Sequence, residues 1–476
     1  MIERKEIQEI VKSYRNPITL IIGSHSALDA RGGSRNYGFK SIIYTTRERA
    51  IIYLQNAIAG KPKEEIRDLP EICRRDVVVV EDLRELRRKG DWSLAILLLD
   101  RYDEIVKYVD ELIELEALQI PNRAFSVYVG GDEECSKIEK EFAVPIVGSR
   151  KLLKVENRGE IEKDYYWYAE KANIPTPRAY EFEVYSNGIR FKEFIDEPLL
   201  LKAEHAKRRF ERAFIFASDS HDLEEKVEKE MRAGNLDFES LKSARVEQIV
   251  LGPHANFNFF FSPLNAVEEW GDLDDIFSKL YGLGLEDARK CLANELLSID
   301  ERRETILDGL KRLPIDVQTK IEKKVVPSFE VTLHSMVSIR ESLLKDVLKC
   351  ANSLLLTFSK YEPPGIIGAW CLQTLITWDR VSKYRYTPAV KIEYSTTGEP
   401  KRAEDYGLYD AHGEAIMHIP VTQDVALRHG GGTNVHMGIG AQYSNVKYQK
   451  AMSTGDRIAL EIRRALEKGK LEAIVT

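Results

Sequence analysis

Residues 421–434, VTQDVALRHGGGTN, place a carboxylate at Asp424, a guanidinium at Arg428 and glycines at Gly430, Gly431 and Gly432 in one short segment. A divalent cation, a phosphate and a close backbone approach call for those three kinds of group. Residues 421–427 alternate as a strand does, which puts Asp424 and Arg428 near its end, where the glycines let backbone N–H groups reach an anion. A metal and a phosphate could meet here; a hairpin corner closed by a surface salt bridge uses the same residues. Lys202 ends the apolar run PLLLK, and an ammonium there must snorkel to solvent or meet an anion, because unpaired burial is costly. Ser24, His25 and Ser26 follow the apolar run PITLIIG and precede a short helical pattern, where helix N–H groups attract a phosphate. His25 serves equally as a helix cap. Glu247 and Glu304 suit a ribose or base, and Gln373, polar in the apolar GAWCLQTLITW, pairs with Asp424 as a candidate for a divalent ion.

Positioning these groups falls to elements that the hydrophobic pattern outlines. Strand runs at 17–23 and 41–45 flank the glycine-closed helix ALDARGGSRNYG, a βαβ unit and hence a parallel sheet. Further strands at 77–80 and 94–99, with helices at 82–88 and 104–116, extend it to a doubly wound domain ending near Lys154. No GxGxxG or GxxxxGK[ST] occurs, so neither a dinucleotide site nor a P-loop is expected. Residues 156–252 change to α+β, with an aromatic helix at 163–172, the strand ending in Lys202, a basic loop, a strand, a helix at 221–231 and a strand at 245–251. A third region opens on the strand ANFNFFFSPL and continues through helices around 273–297. Its charged run from Asp300 to Asp308 reads as a solvated face. Then come a helix at 339–359, the strand carrying Gln373, a polar insert at 383–419, the 421–434 segment and a closing helix at 454–468.

With 476 residues, 43% hydrophobic and 31% charged, the chain fits two or three globular domains. No apolar run reaches membrane-span length and the N-terminus lacks a signal-peptide core, so a cytoplasmic location is expected. Five cysteines without CxxC spacing suggest neither a disulfide framework nor a zinc site. A net charge of -7 and a pI near 5.9 argue against a nucleic-acid or membrane-surface binder.

Eight blocks, in order along the chain, resemble the archaeal formate-dependent ligases that formylate the purine precursor AICAR to FAICAR, the PurP family of the ATP-grasp superfamily. They are GSHSALD, VPIVGSRKLL, VEQIVLG, FNFFFSPL, SIDERRETILDGLKRLP, SIRESLL, PPGIIGAWCLQTL and RHGGGTN. The resemblance implies an α/β ATP-grasp fold with an N-terminal Rossmann-like domain at 1–154, a small α+β subdomain at 155–255 and a C-terminal subdomain at 256–476 carrying the insert. It also implies ATP, formate and an AICAR-like ribonucleotide as substrates, Mg²⁺ or Mn²⁺ as cofactor, and a homo-oligomer. By position, His25 with Ser24 and His334 looks like the substrate-binding set, Lys202, Glu247 and Glu304 like the ATP contacts, and Gln373 and Asp424 like the metal side. Lys202 and Arg428 would neutralise charge as formate attacks the γ-phosphate and the amine then displaces phosphate from formyl phosphate.

The chain departs from the family's pattern at several of these positions. The glycine-rich phosphate loop after the lysine is replaced by AEHAKRRFERA, leaving Lys207, Arg208, Arg209 and Arg212 as substitutes. Ala124 stands where the family has a serine, His334 where it has an asparagine, and Asp424 where it has a glutamate. Three readings follow: an active ligase on AICAR or a related amine, a lapsed paralogue that keeps nucleotide binding or subunit contacts, and, against the acidic balance, nucleic-acid binding through the basic loop.

Overall fold

In the computed structural model the described residues are 1–24, 26–57, 76–132, 134–157, 161–204, 206, 212–322, 331–380, 416–430, 447–448 and 452–476. Continuous apolar runs make strands buried on both faces: β1 (Ile18–Ile22), then helix α1 (Ala27–Asn36), β2 (Ser41–Thr46), β3 (Val77–Val80), β4 (Leu94–Leu99) and β5 (Ala117–Ile120). They form one parallel sheet of order β3-β4-β2-β1-β5. Alternate residues feed two cores, Ile21, Ile43 and Ile96 on one face and Leu20, Ile42 and Leu97 on the other. The helix expected at 82–88 is a tighter 3₁₀ turn, Leu83–Arg88, and that expected at 104–116 is a 3₁₀ segment, Tyr102–Tyr108, running into an α-turn.

The middle region opens on α2 (Tyr165–Lys171), which Asp164 caps by accepting from Trp167 N–H. Strands β6 (Ala179–Tyr180), β7 (Glu183–Tyr185), β8 (Gly188–Arg190), β9 (Leu199–Glu204) and β10 (Arg212–Ala217) follow, then α3 (Ser220–Arg232) and β11 (Arg245–Gln248). An antiparallel sheet of order β10-β9-β11-β6 packs its apolar face, including Leu199, Leu201 and Val246, on α3 through Leu223 and Val227. Residues 207–211 of the basic loop, with the side chain of Arg212, lie outside what is described.

The third sheet, of order β14-β13-β12-β15-β16, is antiparallel. Its strands are β12 (His254–Phe261), β13 (Asn294–Glu304), β14 (Val331–Met336), β15 (Gly368–Arg380) and β16 (Ile416–Ala426), with α4 (Glu341–Tyr361) between β14 and β15. Phe257, Phe259 and Trp370 face α4 and pack on Val347, Leu354 and Phe358. Two sequence expectations change here. The helical stretch ends at Leu292, and the charged run is largely strand β13 rather than a solvated face, with Asp300 fully buried and Glu304 nearly so. Pairing on both sides outweighs the run's polarity. Of the insert, Ile416 to Ile419 belong to β16 and residues 383–415 lie outside the described part.

The closing helix α5 (Thr454–Glu467) returns to the first sheet, where Ile458 and Ile462 share a core with Ile21 and Ile43. Helices α1 and α5 meet at glycine. A Cβ on Gly33 would lie 2.0 Å from the Gly455 carbonyl carbon, whereas one on Gly32 would meet nothing within 4 Å. Gly33→Ala is therefore expected to destabilise the protein by about 3 kcal/mol. Gly32→Ala should instead stabilise it by about 0.5–1 kcal/mol through helix propensity. Urea midpoints of the two variants should move in opposite directions. Four cysteines, Cys135, Cys291, Cys350 and Cys371, are buried free thiols that burial pushes up; Cys73 lies outside the described residues. Among the described residues no helix is long and apolar enough to cross a membrane.

Candidate active site

Lys202 does not snorkel. On β9 it is 7% exposed, and its Nζ donates to Glu247 Oε2 on β11 at 2.5 Å, with the Tyr166 hydroxyl 3.5 Å away. Arg245 donates to the other Glu247 oxygen at 2.8 Å and stacks its guanidinium 3.6 Å from the Tyr166 ring centroid. Burial pushes the Glu247 carboxyl up, but Lys202, Tyr166 and Arg245 outweigh it and hold it below the ordinary carboxylate range. Two cations thus converge on one carboxylate at this point.

On the third sheet, the face away from α4 carries the polar side chains. Period-two alternation puts His254, Asn256 and Asn258 of β12 on it, with the phenylalanines between them on the other. Register then aligns Asp300, Asn256, Gln373 and Asp424 across β13, β12, β15 and β16. Glu304 lies toward the β11 end of this face, its Oε1 3.7 Å from His254 Nδ1. Burial pushes the His254 imidazole down to about 3, helped by the charges of Arg302, Lys311 and Lys202, so it is neutral. Burial pushes the Glu304 carboxyl up, opposed by Lys311 and Arg302.

Gln373 and Asp424 are direct cross-strand partners, and the register slips immediately after Gln373, a bulge of the kind that re-aims side chains beside active sites. Gln373 Oε1 is buried with no hydrogen-bond partner among the described residues. An orphaned amide oxygen opposite a carboxylate is a donor set that a hard cation accepts. Among the described residues no three His, Cys, Asp or Glu side chains gather as a metal site, so an ion here would take its remaining ligands from phosphate and water, as magnesium commonly does.

Past β16, the chain enters the crevice between the carboxyl ends of β1 and β5, the topological switch point of the parallel sheet. His429 bridges to Asn122 and donates or accepts through Nε2 at 2.9 Å from Asp29, while the Ser26 hydroxyl donates to the Gly430 carbonyl at 2.6 Å. The two phosphate-suited segments, Ser24–Ser26 and the RHGG stretch, are thus one place. Ser26 is spent on closing it, Ser24 is half-buried beside it, and His25, Gly431 and Gly432 lie outside the described residues. Arg428 is paired: its Nη2 donates to Glu156 at 2.9 Å, a carboxylate shared with Arg123 at 3.1 Å, and the pair is buried rather than on the surface. Its Nε remains buried without a hydrogen-bond partner among the described residues.

Known proteins match this architecture. A family model described as "Domain of unknown function (DUF1297)" matches residues 222–398 and 416–476, half of the chain, and one described as "Protein of unknown function (DUF1246)" matches residues 19–180. Relatives named 5-formaminoimidazole-4-carboxamide-1-(beta)-D-ribofuranosyl 5'-monophosphate synthetase are 27% identical in Methanopyrus kandleri, covering 100% of both chains, and 25% identical in Methanothermobacter thermautotrophicus, covering 100% of this chain and 99% of that one. The solved structure of an IMP biosynthesis protein PurP from Thermococcus kodakaraensis shares the fold, with a TM-score of 0.54 at 21% identity over 96% of this chain and 100% of that one. The chain belongs to the DUF1297 family. Its cleft contains residues that the sequence motifs do not single out, namely Tyr166, Arg245, His254, Asn256, Asn258, Asp300 and Arg302. The alternation of HANFNFFF and of SIDERRE was the available signal, since a polar residue at every second position of an apolar strand marks a face that meets something polar. His334, on β14 opposite Arg302, joins the same face through Asp300.

Proposed function

We propose that this protein is an ATP-dependent ligase of the PurP type that formylates AICAR, or a closely related ribonucleotide amine, with formate through formyl phosphate. The observation that carries the reading is the polar face of the third sheet, which aligns Asp300, Asn256, Gln373 and Asp424 and carries His254 and Glu304, together with the buried Lys202–Glu247 pair of the middle sheet. The chain past β16 leads into the crevice beside Ser24. Lys202 and Glu247 hold the nucleotide with Glu304, the crevice takes the ribonucleotide phosphate with His25 and Ser24, and Arg428 adds charge between them. Gln373 and Asp424 would hold Mg²⁺ or Mn²⁺, which supplies charge neutralisation to the triphosphate when bound. A cytoplasmic, homo-oligomeric enzyme is part of this proposal.

Purified protein given Mg²⁺, ATP, formate and AICAR should release phosphate and yield the formylated nucleotide. Asp424→Ala should raise the Mg²⁺ concentration needed for half-maximal rate by about tenfold or more, the scale on which hard-cation sites respond to ligand charge. No phosphate above the blank, with ATP still bound in calorimetry, would select a lapsed paralogue instead.

A further inference from the structure

The Asp300 carboxylate is fully buried and accepts three hydrogen bonds: from Asn256 Nδ2 at 2.8 Å, Asn258 Nδ2 at 2.7 Å and His334 Nδ1 at 2.6 Å. Burial pushes this carboxyl up, but the His334 and asparagine contacts outweigh it and hold it below the ordinary range. An ionised carboxylate can only accept, so His334 donates through Nδ1, and Nε2 is the ring nitrogen left to face a substrate. The ring side chain is 24% exposed, and its Nε2 has no hydrogen-bond partner among the described residues. His334 shares the polar face with Gln373 and Asp424, since its contact with Asp300 fixes the side on which it lies.

We propose that His334, oriented by Asp300, is the general base of the formyl-transfer step. The proposal rests on the ligase reading above. A ring-conjugated amine is a weak nucleophile and must shed a proton as it attacks. The amine nitrogen bonds to the formyl carbon, the carbon–oxygen bond to phosphorus breaks and its electron pair leaves with phosphate, and the N–H proton moves to His334 Nε2 and then to the departing phosphate. Asp300 stabilises the imidazolium formed in between. Arg302, the cross-strand neighbour on the same face, opposes that cation, and His254 farther along β12 is neutral. Arg303 and Glu301 pair with each other on the reverse face, where Arg303 also donates to the Ser335 hydroxyl. Asp308 and Lys311, beyond the end of β13, pair with each other at 3.6 Å.

The test separates the two half-reactions. Hydroxylamine, reactive without a base, traps formyl phosphate as the hydroxamate, so its formation from ATP and formate measures activation alone. In His334→Gln, transfer to the amine should fall by about 100-fold or more while hydroxamate formation falls by no more than about threefold. Added imidazole should restore part of the transfer rate in His334→Ala. Equal losses in both half-reactions, or amine transfer within threefold of the wild type, would overturn the proposal. A wild-type protein that forms no hydroxamate would instead overturn the ligase reading and this step with it.

Discussion

Lys202→Met should lower kcat/KM for ATP by about 100- to 1,000-fold, the scale on which one preorganised charged donor to a transferring group is worth. The prediction follows from where the ammonium sits. It is buried on an inner strand of the middle sheet, 2.5 Å from a carboxylate that Arg245 also holds. A triphosphate entering the cleft meets a cation already stripped of water, so little reorganisation is needed at the moment of reaction. The fold should survive, because Glu247 keeps Arg245 at 2.8 Å and the methionine stem occupies the lysine's volume. Circular dichroism and the urea midpoint check that point, and steady-state phosphate release reads the effect. A variant within tenfold of the wild type would remove Lys202 from the phosphate machinery.

The largest stability effect is expected at Arg457. This guanidinium is fully buried, donates to Glu295 at 3.1 and 2.9 Å and to Glu461 at 2.8 Å, and lies 4.0 Å from the Phe260 ring centroid. Arg457→Met takes from two buried carboxylates the buried cation they share, leaving only the more exposed Lys447 and Arg464 beside them, and should cost about 3–5 kcal/mol. Replacing Glu295 and Glu461 by leucine in the same background should recover most of that loss, since a buried ion cluster is often worth no more than a packed apolar one. Burial pushes the Glu295 carboxyl up from its ordinary 4.5, but Arg457 and Lys447 outweigh it and bring it down to about 2. A carboxyl lowered in the folded state contributes stability that is fully present above about 4.5 and is lost as pH falls toward 2. Without Arg457 the largest source of the lowering goes, so the acid limb of the stability curve should begin at higher pH. Denaturation midpoints measured from pH 7 to pH 3 test both points. Because Glu295 is on β13 and Arg457 on a helix packed against the first sheet, the variant should also loosen the wall of the cleft.

Several of these features were legible before any coordinates. The runs that became β1, β4 and β12 are long, apolar and bounded by turn residues, and no competing pattern overlies them. That an ammonium at the end of PLLLK must either reach solvent or meet an anion follows from the energetics of burial, and the structure decides for the anion. By contrast, β5 is four residues long and offers no period to read, and β13 carries enough charge to pass for a solvated face. The stretch at 294–297 was read as helix because short apolar runs do not distinguish helix from buried strand.

From sequence alone came the local quantities: which segments alternate, which side chains could hold a phosphate or a cation, and which charges need partners. Only the tertiary structure decided who the partners are. It gave Lys202 to Glu247, Gln373 to Asp424, Asp300 to His334, and Arg428 to Glu156. Side-chain direction along a strand repeats every two residues and is set locally, whereas register between strands is settled by the packing of the whole sheet, and a slip of one residue would turn the first three of these pairs to opposite faces.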